Sequence, residues 1–490
     1  MATGLKILFL AAEAAPFAKV GGLADYAQEL PQALSNLGMD IRVMIPRYQT
    51  TQDNAYIFSR VGSTISVPVG PSEEKAHILV STTGDYPVYQ IWNDQYFANR
   101  QKVYGFNDDP QRFVFFSRAV ISALKHIDWT PDIIHANDWH TAPVIAWLKV
   151  YGSADKLYGK MASLFTIHNL AYQGVVGRLI LSFGRMSKLP HLPVEPPGKV
   201  NWLAQGIALS DSVSTVSPSY AHEMIETDIG GPLTPLLRER QDHLFGILNG
   251  IDTNKWNPET DDNLWQNYSL DNVKMRRVNK AAMQRYLRLA VKDDTPLIGS
   301  VSRIDEIKGL DILLPAMEQV LAKEDVQFVF LGVGDESYTT KLQALQEQYP
   351  RNVRILIKFD DKTARQIYGS ADIFVVPSRL ESGSIGLMIA MRYGAVPIVH
   401  KTGGLADTVV DAHDEPGRGT GFCFEDYSIF GLQKCITDTF TAYKNKSYWR
   451  DIQKRAMERD MTWEASARAY IDLYQRSFAQ LDARKPVRAH

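Results

Sequence analysis

The sequence predicts an α/β protein of two doubly wound, Rossmann-like domains, each built on a mostly parallel sheet. Short apolar runs alternate with helical stretches along the chain. The alternation breaks once and starts again, and 490 residues that are 45% apolar supply two sizeable cores.

In the first series Lys6–Ala12 (KILFLAA), Ile41–Pro46, Ala76–Ser81, Asp132–His135, Ala162–Ile167 and Val213–Val216 read as strands, with helical stretches such as Tyr26–Leu37 and Phe113–Lys125 between them. From Asn249 to about Arg288 the chain is polar with interspersed aromatics, an irregular link followed by a helix. A second series opens at Leu297 (LIGSVSR) and continues through Val326–Leu331, Val353–Ile357, Ile373–Val376 and Val396–Val399. The expected division is a first domain over 1–255, a second over 256–460 that includes the link, and a C-terminal helix within 461–490 carrying Trp463, Tyr470, Tyr474 and Phe478. Two such domains in series predict a ligand cleft between them at the carboxyl ends of their strands.

Composition narrows the function. A formal net charge of -2 offers no general attraction for nucleic acid or an acidic membrane. No run approaches the roughly 20 apolar residues needed to span a bilayer. The opening MATGLKILFLAAEAAP reads as a buried strand rather than a signal peptide, no transit peptide is visible, and the expected compartment is the cytosol. Cys423 and Cys435 are expected to be free thiols.

Several strand ends carry residues suited to chemistry. Lys19-Val-Gly-Gly-Leu-Ala-Asp25 follows the first strand. Its glycines, Gly21 and Gly22, let a backbone approach a ligand, and helix-start amides with Lys19 suit a phosphate; an ordinary strand–helix turn is the alternative. Arg303 and Lys308, in SRIDEIKGL, can leave one loop and converge on one anion, or stand as two solvated charges. Thr402-Gly-Gly-Leu-Ala-Asp407 echoes the first glycine pair in the second domain, placing Gly403, Gly404 and Leu405 at another strand end. Glu381 follows Pro377-Ser-Arg-Leu, where a carboxylate can accept sugar hydroxyls or cap a helix. His135-Ala-Asn-Asp-Trp-His140 and Thr166-Ile-His-Asn-Leu170 each follow a short apolar strand. His168 sits where a strand delivers side chains to a ligand crevice, whereas loop packing suffices for His135 or His140. None of these spacings fits a zinc site, and no hydrolytic triad is visible.

KVGGLADY, HANDWHT, TIHNLAYQG, VSPSYA, GILNGID, SRIDEIKGL, VPSR followed by Glu, and AMRYGAVPIVHKTGGLADTV occur in this order. From about Lys6 to Tyr474 the chain thereby resembles the glycogen and starch synthases of bacteria and plants. The resemblance implies a retaining glucosyltransferase of glycosyltransferase family 5 with the GT-B fold and an active-site cleft between its domains. The donor would be ADP-glucose, less often UDP-glucose, and the acceptor the non-reducing end of an α-1,4-glucan, with no metal and no separate cofactor. By the same resemblance Lys19 contacts the donor, the backbone of Gly21 and Gly22 donates to phosphate, and Asp25 supports that loop. Asp138 lies near glucose and acceptor, His168 binds the transferred glucose, and Asn249 shapes the sugar subsite. Arg303 and Lys308 stabilise the departing diphosphate, Glu381 binds glucose hydroxyls, and the amides around Gly404 and Leu405 in Thr402–Leu405 meet the phosphates. The C-terminal helix returns to the first domain.

One loop departs from the family. Where the family commonly reads Glu-Pro-Cys-Gly-Leu-Thr-Gln, this chain reads Glu381-Ser-Gly-Ser-Ile-Gly-Leu387. The glutamate survives, but Leu387 cannot supply an amide's polar contacts. A glucan-binding protein without transfer activity, or a retaining transferase with another donor or a small acceptor, therefore stands beside the synthase as an alternative.

Overall fold

A computed structural model describes residues 4–52, 56–82 and 84–481. The extreme N-terminus and residues 482–490 of the anticipated C-terminal segment lie outside the described residues. The chain forms two compact units, one from the described residues of Met1–Ile247 and Trp463–His490, the other Leu248–Thr462. The divisions fall after Ile247 and Thr462, a few residues from the 255/256 and 460/461 positions expected from pattern breaks.

The first unit contains β1 (Lys6–Leu10), β2 (Asp40–Pro46), β3 (Ser59–Val69), β4 (Ser72–Ser81), β5 (Val88–Trp92), β6 (Ile133–Asn137), β7 (Ala162–Ile167), β8 (Val175–Gly177), β9 (Lys199–Asn201), β10 (Ser212–Thr215) and β11 (Leu244–Gly246). Nine of these make one sheet in the order β11-β10-β7-β6-β1-β2-β5-β4-β3, while β8 and β9 form a separate antiparallel pair. From β11 to β5 the sheet is parallel. β4 then runs antiparallel to both β5 and β3, an edge of which the sequence pattern marks only Ala76–Ser81. The central strands are buried runs of Ile, Leu, Phe and Val, as a sheet covered on both faces requires. β6 continues through His135 to Asn137, so His135 is a strand residue and His140 sits on the following helix Asp138–Trp147, not in a loop.

The C-terminal helix Trp463–Ala479 belongs to this unit and is tied to it by polar bonds from a buried face. Trp463 Nε1 donates to Glu29 Oε2 (2.6 Å), the Tyr26 and Tyr470 hydroxyls bond (2.8 Å), and Ser477 Oγ bonds Ser212 Oγ (2.8 Å). Trp463, Ala467, Tyr470, Leu473 and Tyr474 fill one core with Tyr26, Leu30 and Leu34 of the helix Gly22–Asn36.

The second unit carries β12 (Leu297–Val301), β13 (Gln327–Gly332), β14 (Val353–Ile357), β15 (Ile373–Val376), β16 (Val396–His400) and β17 (Phe422–Phe424), all parallel, in the order β14-β13-β12-β15-β16-β17. Counted from its first strand this is 3-2-1-4-5-6, the doubly wound nucleotide-binding order. The order reverses beside β12, so the loops leaving β12 and β15 flank the crevice where such sheets take ligands. The same logic applied to the first sheet singles out the carboxyl ends of β1 and β6, because β2 lies on one side of β1 and β6 on the other.

Candidate active site

In the first unit the switch point collects Lys19, Asp25, Asp138 and His168. After β1 the chain turns through Glu13 to the Lys19–Gly22 loop, and the helix Gly22–Asn36 begins with Gly21 as its N-cap. Lys19 Nζ lies 2.7 Å from Asp25 Oδ1 in the first turn of that helix. Glu13 lies beneath the loop, 2% exposed, and its Oε2 accepts from Val20 N (2.5 Å) and Gly21 N (3.3 Å). The Gly21 amide expected to serve a phosphate is thus bonded within the protein. Outside the loop is a cavity of about 400 Å³ lined by Phe17, Lys19, Val20, Lys102 and Tyr104 among others.

Asp138 begins the helix after β6 with a positive φ of 54°, a backbone geometry in which Asp and Asn are enriched. This turns its carboxylate onto the end of β7, where Oδ1 accepts from His168 N (2.8 Å) and the carboxylate also takes the Asn169 amide. Burial of the carboxyl raises its pKa to about 7, against the lowering effect of those two amides. The His168 ring donates from Nε2 to Asn137 Oδ1 (2.9 Å), and Asn137 Nδ2 is anchored on Leu10 O (2.9 Å). Tyr26 stands edge-on to the same ring at 4.4 Å. Burial lowers the His168 pKa to about 3, so its imidazole is neutral near pH 7 and Nδ1 remains an acceptor.

The other two histidines have structural surroundings. His135 is fully buried, bonded to Tyr474 OH through Nδ1 (2.8 Å) and to Thr166 Oγ1 through Nε2 (2.6 Å). His140 packs against Trp139, Phe113 and Tyr104, and burial lowers its pKa to about 3.

In the second unit β12 delivers Arg303 and Lys308, and β15 delivers Ser378 and Glu381. Lys308 Nζ lies 2.6 Å from Glu381 Oε2, which also accepts from Ser378 Oγ (3.0 Å). The two loops are further joined by Arg379 N to Ile307 O (2.9 Å). Gly309 makes this approach possible: its φ is 77°, and a Cβ there would lie 2.0 Å from Pro377 O. Arg303 differs from Lys308, with a 61% exposed side chain that lies 3.4 Å from Asp305. Asn249, at the start of this unit, has a buried Oδ1 with no hydrogen-bond partner among the described residues.

The second glycine turn is bonded internally. Gly404 N donates to Glu381 O (2.9 Å) and Leu405 N to Thr402 O (3.0 Å), so the two amides assigned to phosphate are engaged within the protein. Gly403 takes a φ of 45°, and a Cβ on Gly404 would lie 2.8 Å from Ser382 O and Gly383 Cα. The Thr402–Leu405 turn therefore packs against the altered loop and holds the Glu381 backbone. Leu387 is fully buried in the core of this unit, and Ser384 caps its helix, Ile385–Arg392, by accepting from Leu387 N (3.3 Å). The departure that reads as a lost polar contact is thus a packed residue. Glu13, Asn137 and Ser378 were not singled out from sequence; a charge inside the apolar run LFLAAEAAP is the one signal that marks Glu13.

Two Rossmann-like units, each with polar and charged groups at its switch point, have the architecture of the GT-B class of glycosyltransferases. Residues 6–239 match the starch synthase catalytic domain family and residues 288–455 match glycosyl transferases group 1. The chain is 39% identical to a glycogen synthase of Thermotoga maritima over 97% of its length and all of that protein. It is 40% identical to one of Geotalea daltonii, covering 96% of this chain and 98% of the other. The catalytic domain of starch synthase IV from Arabidopsis thaliana, solved bound to ADP and acarbose, superposes with a TM-score of 0.89 at 32% identity, covering 97% of this chain and 100% of that one. The chain belongs to the glycogen synthase family of glucosyltransferases.

Proposed function

We propose that this protein transfers glucose from ADP-glucose, or less readily UDP-glucose, to the non-reducing end of an α-1,4-glucan with retention of configuration, and that it does so in the cytosol. The observation that carries this reading is the Lys308–Glu381 pair. It fixes one cation at the switch point of a nucleotide-binding sheet, beside a more exposed Arg303. The relative solved with ADP and acarbose supports an adenine nucleotide and an oligosaccharide as the ligand classes.

Lys308 and Arg303 neutralise the diphosphate as the bond from glucose C1 to the phosphate oxygen breaks. Glu381, steadied by Ser378 and Lys308, accepts sugar hydroxyls, and Asn249 shapes the sugar subsite. Neutral His168 holds the transferred glucose by hydrogen bonding, and Asp138 fixes the His168 backbone next to the reacting carbon. Lys19 contacts the donor, with Asp25 steadying its ammonium. The acceptor hydroxyl forms the new bond on the face the nucleotide leaves, and its proton passes to the departing phosphate, so no protein base is needed. The two basic side chains supply the positive charge otherwise drawn from a metal.

Loss of activity through the altered loop is the competing reading. The retained Lys308–Glu381–Ser378 contacts and the packed Leu387 favour an active enzyme. Purified protein assayed with ADP-glucose and with UDP-glucose, each with and without glycogen, separates the two. Glycogen-dependent nucleotide release supports the synthase, and none with either donor refutes it.

A further inference from the structure

We infer that Glu13 is a positioning residue of the donor site, holding the Lys19–Leu23 turn in a single arrangement from beneath. The inference rests on the glucosyltransferase reading above and adds a residue to it.

A buried carboxylate is costly unless its lone pairs are bonded. The partners of Glu13 belong to the candidate site: the Val20 and Gly21 amides on one side and the Tyr104 hydroxyl on the other. The outer face of the same turn is open, with Val20 63% exposed and the Lys19 side chain 45% exposed. The turn is therefore braced from inside and free to meet a ligand from outside. Lys19 is held at both ends, its backbone next to the Glu13-bound amide of Val20 and its ammonium on Asp25. Without the Glu13 acceptor, two adjacent amides in a glycine turn lose their fixed partner, and the lysine loses its fixed origin.

The groups facing Glu13 make this brace sensitive to charge. They are Asp25 and Asp138, both acidic, and the hydroxyls of Tyr48 and Tyr104. With burial as the main cause, the Glu13 pKa is raised to about 7. A phosphate arriving on the outer face adds negative charge, which raises that pKa further and draws a proton onto the carboxyl. Donor binding should therefore be tighter below about pH 7 than above it, and this dependence should weaken when the Glu13 carboxyl is removed.

The test compares full-length wild type with Glu13→Ala and Glu13→Gln. Hydrogen exchange in the absence of substrate reads the brace directly. In Glu13→Ala the Val20 and Gly21 amides should exchange about ten-fold faster or more, while Leu30 and Leu34 amides stay protected. Glu13→Gln, which keeps the one acceptor oxygen that both amides share, should exchange close to wild type. With ADP-glucose and saturating glycogen, Glu13→Ala should raise the donor KM about ten-fold with kcat changed by less than about three-fold, and Glu13→Gln, neutral like the protonated carboxyl, should keep a donor KM close to that of wild type at low pH. Between about pH 6 and about pH 8.5 the donor KM should rise more steeply in wild type than in either variant, in which Asp138 still titrates. Unchanged exchange at Val20 and Gly21 would overturn the brace. Faster exchange with a wild-type KM and pH profile would overturn the donor-site role and leave Glu13 structural. A wild type that transfers no glucose removes the glucosyltransferase reading, and the donor-site role with it, whatever the exchange shows.

Discussion

The Lys308 ammonium lies 2.6 Å from the Glu381 carboxylate and so ties the loop after β12 to the loop after β15, where the strand order of the second sheet reverses. Both side chains are largely buried, at 18% and 10% exposed. A pair so placed has a structural as well as a chemical consequence, because removing one partner strands the other's charge.

Lys308→Ala should lower stability by about 2–4 kcal/mol, and the double variant with Glu381→Gln should regain at least half of it. Turnover should fall roughly ten- to a thousand-fold in both. Arg303→Ala should lower turnover by a similar factor yet change stability by less than about 0.5 kcal/mol, because its side chain is mostly exposed. Urea titrations and steady-state kinetics on the four proteins check this; turnover near that of wild type in Lys308→Ala and Arg303→Ala would remove both residues from the leaving-group role.

His168 and His135 should separate cleanly. His168→Ala should lower turnover and leave folding largely intact, because among the described residues its ring makes one hydrogen bond, to Asn137, besides its packing on Tyr26. His135→Ala opens a hole between Thr166 and Tyr474 and breaks two bonds in a core, a loss of about 2–4 kcal/mol expressed as stability. Equal losses of turnover at matched folded fraction would mean the sugar is placed at the wrong histidine.

Asp138 provides a pH test with a definite sign. Its folded pKa is raised from 3.8 to about 7. Its contribution to stability is therefore complete below about pH 4 and is lost as pH rises towards about pH 7, by at most ~1.4 kcal/mol per pH unit. Asp138→Asn, which suits the positive φ, lacks this loss, so wild type should fall in stability relative to the variant across that window. Urea midpoints at several pH values give the comparison, and parallel curves would show that the carboxyl titrates normally.

Gly309→Ala should cost about 3 kcal/mol or more, combining a left-handed backbone with a Cβ placed on Pro377 O. The loop would have to move, and Lys308 with it. A thermal midpoint and turnover close to wild type would show that the loop adapts freely.

Transfer should persist in EDTA, because Lys308 and Arg303 already place two cations at the nucleotide-binding switch point. A strict requirement for magnesium or manganese, restored on adding it back, would contradict this.

Much of the fold could be read from the sequence, because buried parallel strands declare themselves as apolar runs such as KILFL and QFVFL. The antiparallel edge was harder: β3 is largely exposed and its sequence, SRVGSTISVPV, alternates poorly. Strand-end positions were also legible, and His168, Arg303, Lys308 and Glu381 all sit where β7, β12 and β15 end. Partnership was not. Sequence cannot say that the Gly404 amide is taken by Glu381 O, that Gly21 is taken by Glu13, or that Leu387 faces a core, because each depends on a neighbour at another strand end or across the packed unit. His135 shows the same limit, since its partner Tyr474 lies 339 residues away.

The fate of a labelled glucose decides whether the protein transfers a glucosyl group from a nucleotide sugar to the end of an α-glucan. Incubating the protein with ADP-[13C]glucose and glycogen, then digesting the recovered polymer with β-amylase, follows the label to its final bond. Label should enter the polymer, be released as maltose, and show the α-anomeric signal of a 1,4 linkage. Label remaining in ADP-glucose, or appearing only as free glucose, would contradict such transfer.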